Sequence, residues 1–208
     1  MTSRETLGFK HIYAERHGPR TMLLLHGTGG DETDFVPLGE FFDREAHILS
    51  PRGNVLEGRM ARFFRRLRPG VFDEEDIRAR AAELAEFVGA AAAEYGFAGE
   101  AVWGVGFSNG ANIAASLLLL HPGTLAGAIL LRPMLPIEPD GVPDLSGMPI
   151  YIAAGTRDEM IPRDSTERLI ERLTGGGAEV TVEWAEAGHR FGQEELEAAR
   201  RWYLNVAR

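Results

Sequence analysis

The chain has 208 residues, enough for a sizeable buried core, with 44% hydrophobic and 25% charged residues. Its formal net charge of -9 sets a field that repels nucleic acid and acidic membranes, so neither is expected as a partner. It has no cysteine, which rules out disulfides, thiolate-held zinc and a thiol nucleophile.

The first 18 residues, "MTSRETLGFKHIYAERHG", contain no apolar signal segment, and the longest apolar run, residues 114–120, is too short to span a bilayer. The expected location is the cytoplasm, without stable membrane insertion. In chain order, "FKHIYAE" predicts a strand, and "TMLLLHG" predicts a second one buried on both faces. "DFVPLGEFFDR" predicts a helix and "AHILSPRG" a third strand. In the segment 54–72, Met60, Phe63, Phe64 and Leu67 are spaced as one apolar face of a short helix, with Arg59, Arg62 and Arg66 opposite.

The most regular helix follows. Ile77, Ala81, Leu84, Val88, Ala91 and Tyr95 form one stripe, begun by Asp73 and Asp76 and stopped by Gly96. "EAVWGVGF" is a buried strand and "SNGANIAASLLLLHPG" an apolar helix. "LAGAILLRP" and "MPIYIAAGT" are further strands. "DSTERLIERLTGGG" is a helix with Asp164 as its expected cap, "AEVTVEW" the last strand and "QEELEAARRWYLNVA" the last helix. The alternation predicts an α/β fold, a mostly parallel sheet with helices on both faces, in a single domain over 1–208 with no large cap domain.

The stretch "GVGFSNG" reads two ways. As a dinucleotide fingerprint it puts Asn109 where a small residue is needed, lies late in the chain, and is followed about 20 residues on by Arg132 where an acid should bind the ribose. As G-x-S-x-G it places Ser108 on a sharp turn between a strand and a helix, where a nucleophile belongs. Two of the six histidines follow Ser108. His121 ends the helix that Ser108 begins, about 20 Å away at 1.5 Å per residue. His189 follows the last strand, on the edge of the sheet that carries Ser108.

Between them, Asp158 directly follows a strand on that same edge, with Glu159 as its rival. Asp140 and Asp144 precede that strand. Ligands of open α/β sheets bind at this edge. For oxyanion stabilisation the backbone amide of Asn109 is one donor, and the amide of Thr28 in "LLLHGTGGDETDF" is chosen as the other. A phosphate-loop reading of that turn lacks the Gly-Lys-Ser/Thr ending.

Together, "HGTGGDETDFVPLG", "SPRG", "GFSNGANIAASLL", "GTRDEMIP" and "AGH" resemble the α/β-hydrolase superfamily over nearly the whole chain. The likeness is to the small carboxylesterase/phospholipase branch related to acyl-protein thioesterases and dienelactone hydrolases. It implies Ser108, Asp158 and His189 as the triad and the Thr28 and Asn109 amides as the oxyanion hole. Dienelactone hydrolases proper use a cysteine nucleophile, which this chain lacks.

The expected activity is carboxylesterase cleavage of a small-molecule ester through an acyl-enzyme, falling in acid as the imidazole protonates. Alternatives are an acyl-thioesterase or lysophospholipase with the same residues, and a non-catalytic small-molecule-binding relative. No metal or organic cofactor is expected, and a homodimer stays open. Phe63, Phe64, Met134 and Met160 are the expected pocket walls; the segment 54–72 reads first as a solvated helix packed on the sheet and alternatively as a small flap with its arginines near the pocket mouth.

Overall fold

The computed structural model describes residues 2–68 and 70–207. Among the described residues, twelve strands run β1 Ser3–Thr6, β2 Phe9–Ala14, β3 Thr21–Leu25, β4 His47–Pro51, β5 Val55–Glu57, β6 Met60–Arg62, β7 Arg66–Arg68, β8 Val71–Phe72, β9 Val102–Phe107, β10 Gly127–Leu131, β11 Pro149–Gly155 and β12 Glu179–Ala185. The helices are α1 Val36–Phe42, α2 Glu74–Tyr95, α3 Asn109–Leu120, α4 Arg163–Gly175 and α5 Gln193–Val206.

Eight strands form one sheet in the order β1-β2-β4-β3-β9-β10-β11-β12. Only the β1–β2 and β2–β4 pairings are antiparallel. Every residue of β3 and of β10 is buried, which explains their unbroken apolar runs: each is covered on both faces. One core lies where α2, α3 and α4 pack on one face through residues such as Ile77, Leu84, Leu117, Leu169 and Leu173. The other holds Phe42 of α1 and Ala199 and Tyr203 of α5 against Met22, Trp103 and Ile129.

Local chemistry sets the helix ends. The Asp73 carboxylate accepts the Asp76 N–H to cap α2, and Gly96, at a φ of 75°, ends it. α4 departs from expectation: it starts at Arg163 after Pro162, and Asp164 lies inside its first turn without capping it. The dipole still favours the acid there.

The segment 54–72 is not a helix. It forms two hairpins, β5–β6 and β7–β8. Gly58 and Gly70, at φ of 63° and 73°, turn the chain, and these turn signals outweigh an apolar spacing spanning only eight residues. The supposed stripe is split: Phe63 and Phe64 are buried, whereas Met60 and Leu67 are 43% and 67% exposed. β1 is a strand that the apolar pattern did not reveal, because all four of its residues are exposed.

Candidate active site

Three loops meet at the C-terminal edge of the parallel strands. Ser108 directly follows β9, Asp158 lies shortly after β11 and His189 shortly after β12. The parallel register aligns these strand ends, pairing Leu25 with Gly106, Leu131 with both Phe107 and Ala153, and Gly155 with Ala185. Residues far apart in sequence therefore converge.

Ser108 has a φ of 52° and a ψ of -112°, a strained conformation for a non-glycine residue that turns its hydroxyl out of the strand-to-helix corner. Its amide donates to the Leu131 carbonyl at 2.9 Å, tying the corner to β10. The corner needs glycine. A Cβ on Gly110 would lie 1.9 Å from the Leu25 carbonyl oxygen, so α3 can begin hard against the end of β3 only without a side chain there. This contact brings the turn after β3, with Thr28, beside Ser108.

Ser108 Oγ lies 2.9 Å from His189 Nε2, and His189 Nδ1 lies 2.8 Å from Asp158 Oδ2. The Asp158 side chain is 1% exposed, and its Oδ1 accepts the amides of Met160 and Ile161 at 2.9 and 3.1 Å. The carboxylate is thus fixed by two amides and aims its free oxygen at the imidazole. Glu159 is exposed and lines the neighbouring cavity instead. Phe107 packs on the imidazole with ring centroids 5.1 Å apart. His121 ends α3 at its opposite terminus.

A cavity of about 370 Å³ opens beside Ser108, and Thr28 and Asn109 line it with the serine. The Asn109 N–H, at the first position of α3, has no intrahelical acceptor. The Thr28 amide meets no acceptor among the described residues. Both positions named for oxyanion stabilisation therefore border one space with the hydroxyl.

Of the expected pocket walls, Met134 and Met160 line the cavity. Phe63 and Phe64 do not: they belong to the core, and Phe64 is fully buried edge-on to Phe72. The segment 54–72 reaches the cavity through Arg62, Arg66, Gly70 and Phe72. Sequence reading set Arg62 and Arg66 opposite the apolar face of a helix, near the pocket mouth only if that segment is a flap. Asn112, also a lining residue, was legible as the position one helical turn beyond Ser108.

Arg62 is buried. Its Nη1 donates to Thr28 Oγ1 at 2.6 Å and its Nε to the Phe64 carbonyl at 3.1 Å. Burial, then the nearby Arg66 charge, lowers its pKa, while Glu57 opposes the shift. The Gly29 amide donates to the Ala61 carbonyl at 2.8 Å, so β6 braces the turn that carries Thr28. Beneath it, His26 accepts the Gly53 amide at Nε2 (3.0 Å) and lies 2.7 Å from the Gly27 carbonyl at Nδ1. Those partners demand the neutral tautomer protonated at Nδ1, and burial lowers the His26 pKa. Among the described residues, no cluster of acidic, histidine or cysteine side chains could hold a metal ion.

The Dienelactone hydrolase family profile matches residues 72–203. The Bacillus subtilis (strain 168) protein MhqD is 47% identical over 194 residues, spanning 93% of this chain and 97% of that protein. A Bacillus cereus carboxylesterase superposes with a TM-score of 0.93 at 45% identity, covering 95% of this chain and 94% of the other. A carboxylesterase from Mesorhizobium loti gives 0.83 at 36% identity, covering 91% and 90%. By its sheet, its edge-loop site and these likenesses, the chain belongs to the dienelactone hydrolase family of the α/β-hydrolase superfamily.

Proposed function

We propose that the protein is a serine carboxylesterase acting on small-molecule esters with small to medium acyl groups. The observation that carries this reading is the continuous hydrogen-bonded line from Ser108 Oγ through the His189 ring to Asp158. Ser108 attacks the ester carbonyl while His189 Nε2 takes the hydroxyl proton. The amides of Thr28 and Asn109 stabilise the oxyanion. The alcohol leaves with the proton from His189, and water then cleaves the acyl-enzyme by the same steps. Asp158 keeps Nδ1 protonated and supports the imidazolium that forms in each half-reaction.

Similarity to carboxylesterases supports the ester class. A cavity of about 370 Å³ is at the small end for ligand sites and supports a modest acyl group over a long lipid chain. The proposed setting is the cytoplasm.

Ser108→Ala, folded by circular dichroism, is expected to lose p-nitrophenyl butyrate hydrolysis by roughly 10⁴-fold or more. A fluorophosphonate probe is expected to label the unmodified protein at Ser108. Full turnover by the variant, or absent labelling of the parent chain, overturns the mechanism. Esters of two to twelve acyl carbons, run beside an acyl-thioester, separate carboxylesterase from thioesterase and lysophospholipase activity.

A further inference from the structure

Arg132 directly follows β10, and its side chain is 0% exposed. Its φ of 57° is left-handed, an uncommon setting for a large non-glycine residue. A buried cation needs a counter-charge and filled hydrogen bonds. Glu195 on α5 supplies the charge, with Nη1 at 2.7 Å from Oε1 and Nη2 donating to Oε2 at 3.0 Å.

The remaining donors go to backbone carbonyls. Nε donates to Gly188 at 2.9 Å, Nη2 to Arg190 at 2.9 Å and Nη1 to Ala153 at 3.2 Å. Gly188 and Arg190 are the two neighbours of His189. Glu195 Oε2 also accepts the Gly192 amide at 2.8 Å, so the counter-ion holds the next turn of the same loop. A Cβ on Gly155 would lie 2.4 Å from the Ala187 carbonyl oxygen, so the histidine loop also rests against the end of β11.

An ion pair needs only two charges. This one directs a planar fork of donors to the carbonyls on both sides of a single residue, a task that suits guanidinium and not a point-like ammonium. We propose that Arg132, with Glu195 as its counter-charge, is a positioning residue for His189. It fixes the backbone on both sides of the imidazole, so the ring stays between Ser108 and Asp158. The inference rests on the reading of His189 as the general base.

The test uses the full chain with Arg132→Met, Arg132→Lys, Glu195→Gln and, as a control, Tyr203→Phe. The control removes the Tyr203 hydroxyl bond to Asp43, a buried contact of α5 apart from the histidine loop. Each chain is assayed on p-nitrophenyl butyrate well below its melting temperature. Arg132→Met is expected to lose kcat by roughly 100-fold, the scale of a misplaced catalytic group, with KM within about threefold. Arg132→Lys is expected to recover melting temperature more fully than kcat, because lysine restores the charge pair without bridging both carbonyls. Tyr203→Phe keeps parental kcat.

Proton NMR supplies a readout independent of turnover. The downfield His189 Nδ1 proton is expected to be sharp in the parent and broadened in Arg132→Lys and Glu195→Gln. Parental kcat together with a sharp resonance in those two variants overturns the proposal, whether or not Arg132→Met folds. A parent chain with neither turnover nor fluorophosphonate labelling overturns the esterase reading instead, and the resonance still reports whether Arg132 orders the loop.

Discussion

Ser108 is held in a backbone conformation that costs about 1–3 kcal/mol at a non-glycine residue. The Leu131 hydrogen bond and the close seat of Gly110 on Leu25 keep it there. Phe64 has the opposite character. It is fully buried, stands edge-on to Phe72 at 5.0 Å and lies under the Arg62 guanidinium at 5.7 Å, outside the cavity. Phe64→Ala is therefore expected to lower stability by about 3–5 kcal/mol while leaving acyl-chain preference unchanged. Urea denaturation and kcat/KM across an ester series check the two halves separately. A changed chain preference at parental stability would restore Phe64 as a pocket wall.

The β5–β6 hairpin joins both positions proposed for oxyanion stabilisation. Ala61 takes the Gly29 amide, Arg62 holds Thr28 Oγ1, and the next amide, Phe63 N–H, donates to Asn109 Oδ1 at 2.7 Å. Arg62→Met is expected to lower kcat/KM by roughly 10- to 100-fold through a loosened Thr28 turn. If the contact carries the effect, Thr28→Val adds little in the Arg62→Met background, and a double-mutant cycle on p-nitrophenyl butyrate measures that coupling. This element was the least legible from sequence. Short strands of three residues leave no lasting period, and the coincidental spacing of Met60, Phe63, Phe64 and Leu67 masks the turn signals of Gly58 and Gly70 that decide the fold there. By contrast β3, β9 and α2 were legible because burial on both faces, or on one stripe, marks every residue. Ser108, Asp158 and His189 could be singled out because strand order alone assigns loops to one edge. The fork of Arg132 could not, because its acceptors beside His189 are backbone carbonyls, which have no letter in a sequence.

Across the whole molecule, buried titratable groups set the response to acid. The His26 pKa is lowered by burial, as is that of His11, so each binds fewer protons folded than unfolded. Stability therefore rises with pH between the folded value and about 6.5, and falls on acidification through that window. Asp43 adds a second loss. Burial would raise its pKa, but hydrogen bonds from Tyr203, the Glu45 amide and Arg20 together lower it below 3.8. Its stabilising contribution is present above that value and is lost as pH falls through the folded one. Chemical denaturation between pH 7.5 and 4 is expected to show declining stability, with each histidine contributing at most about 1.4 kcal/mol per pH unit. His26→Gln should flatten the upper part of that decline; an unchanged slope would remove His26 as a cause.

The hydroxyl, the imidazole and the carboxylate meet at the ends of β9, β11 and β12, and β12 is one of the two edge strands of the sheet. Eighty-one positions along the chain separate Ser108 from His189. A nascent or partly refolded polypeptide lacking that outer strand has the proposed nucleophile without its proposed base. If the proposed mechanism holds, turnover requires that margin of the sheet to be in place, and its return during refolding reports the docking of β12.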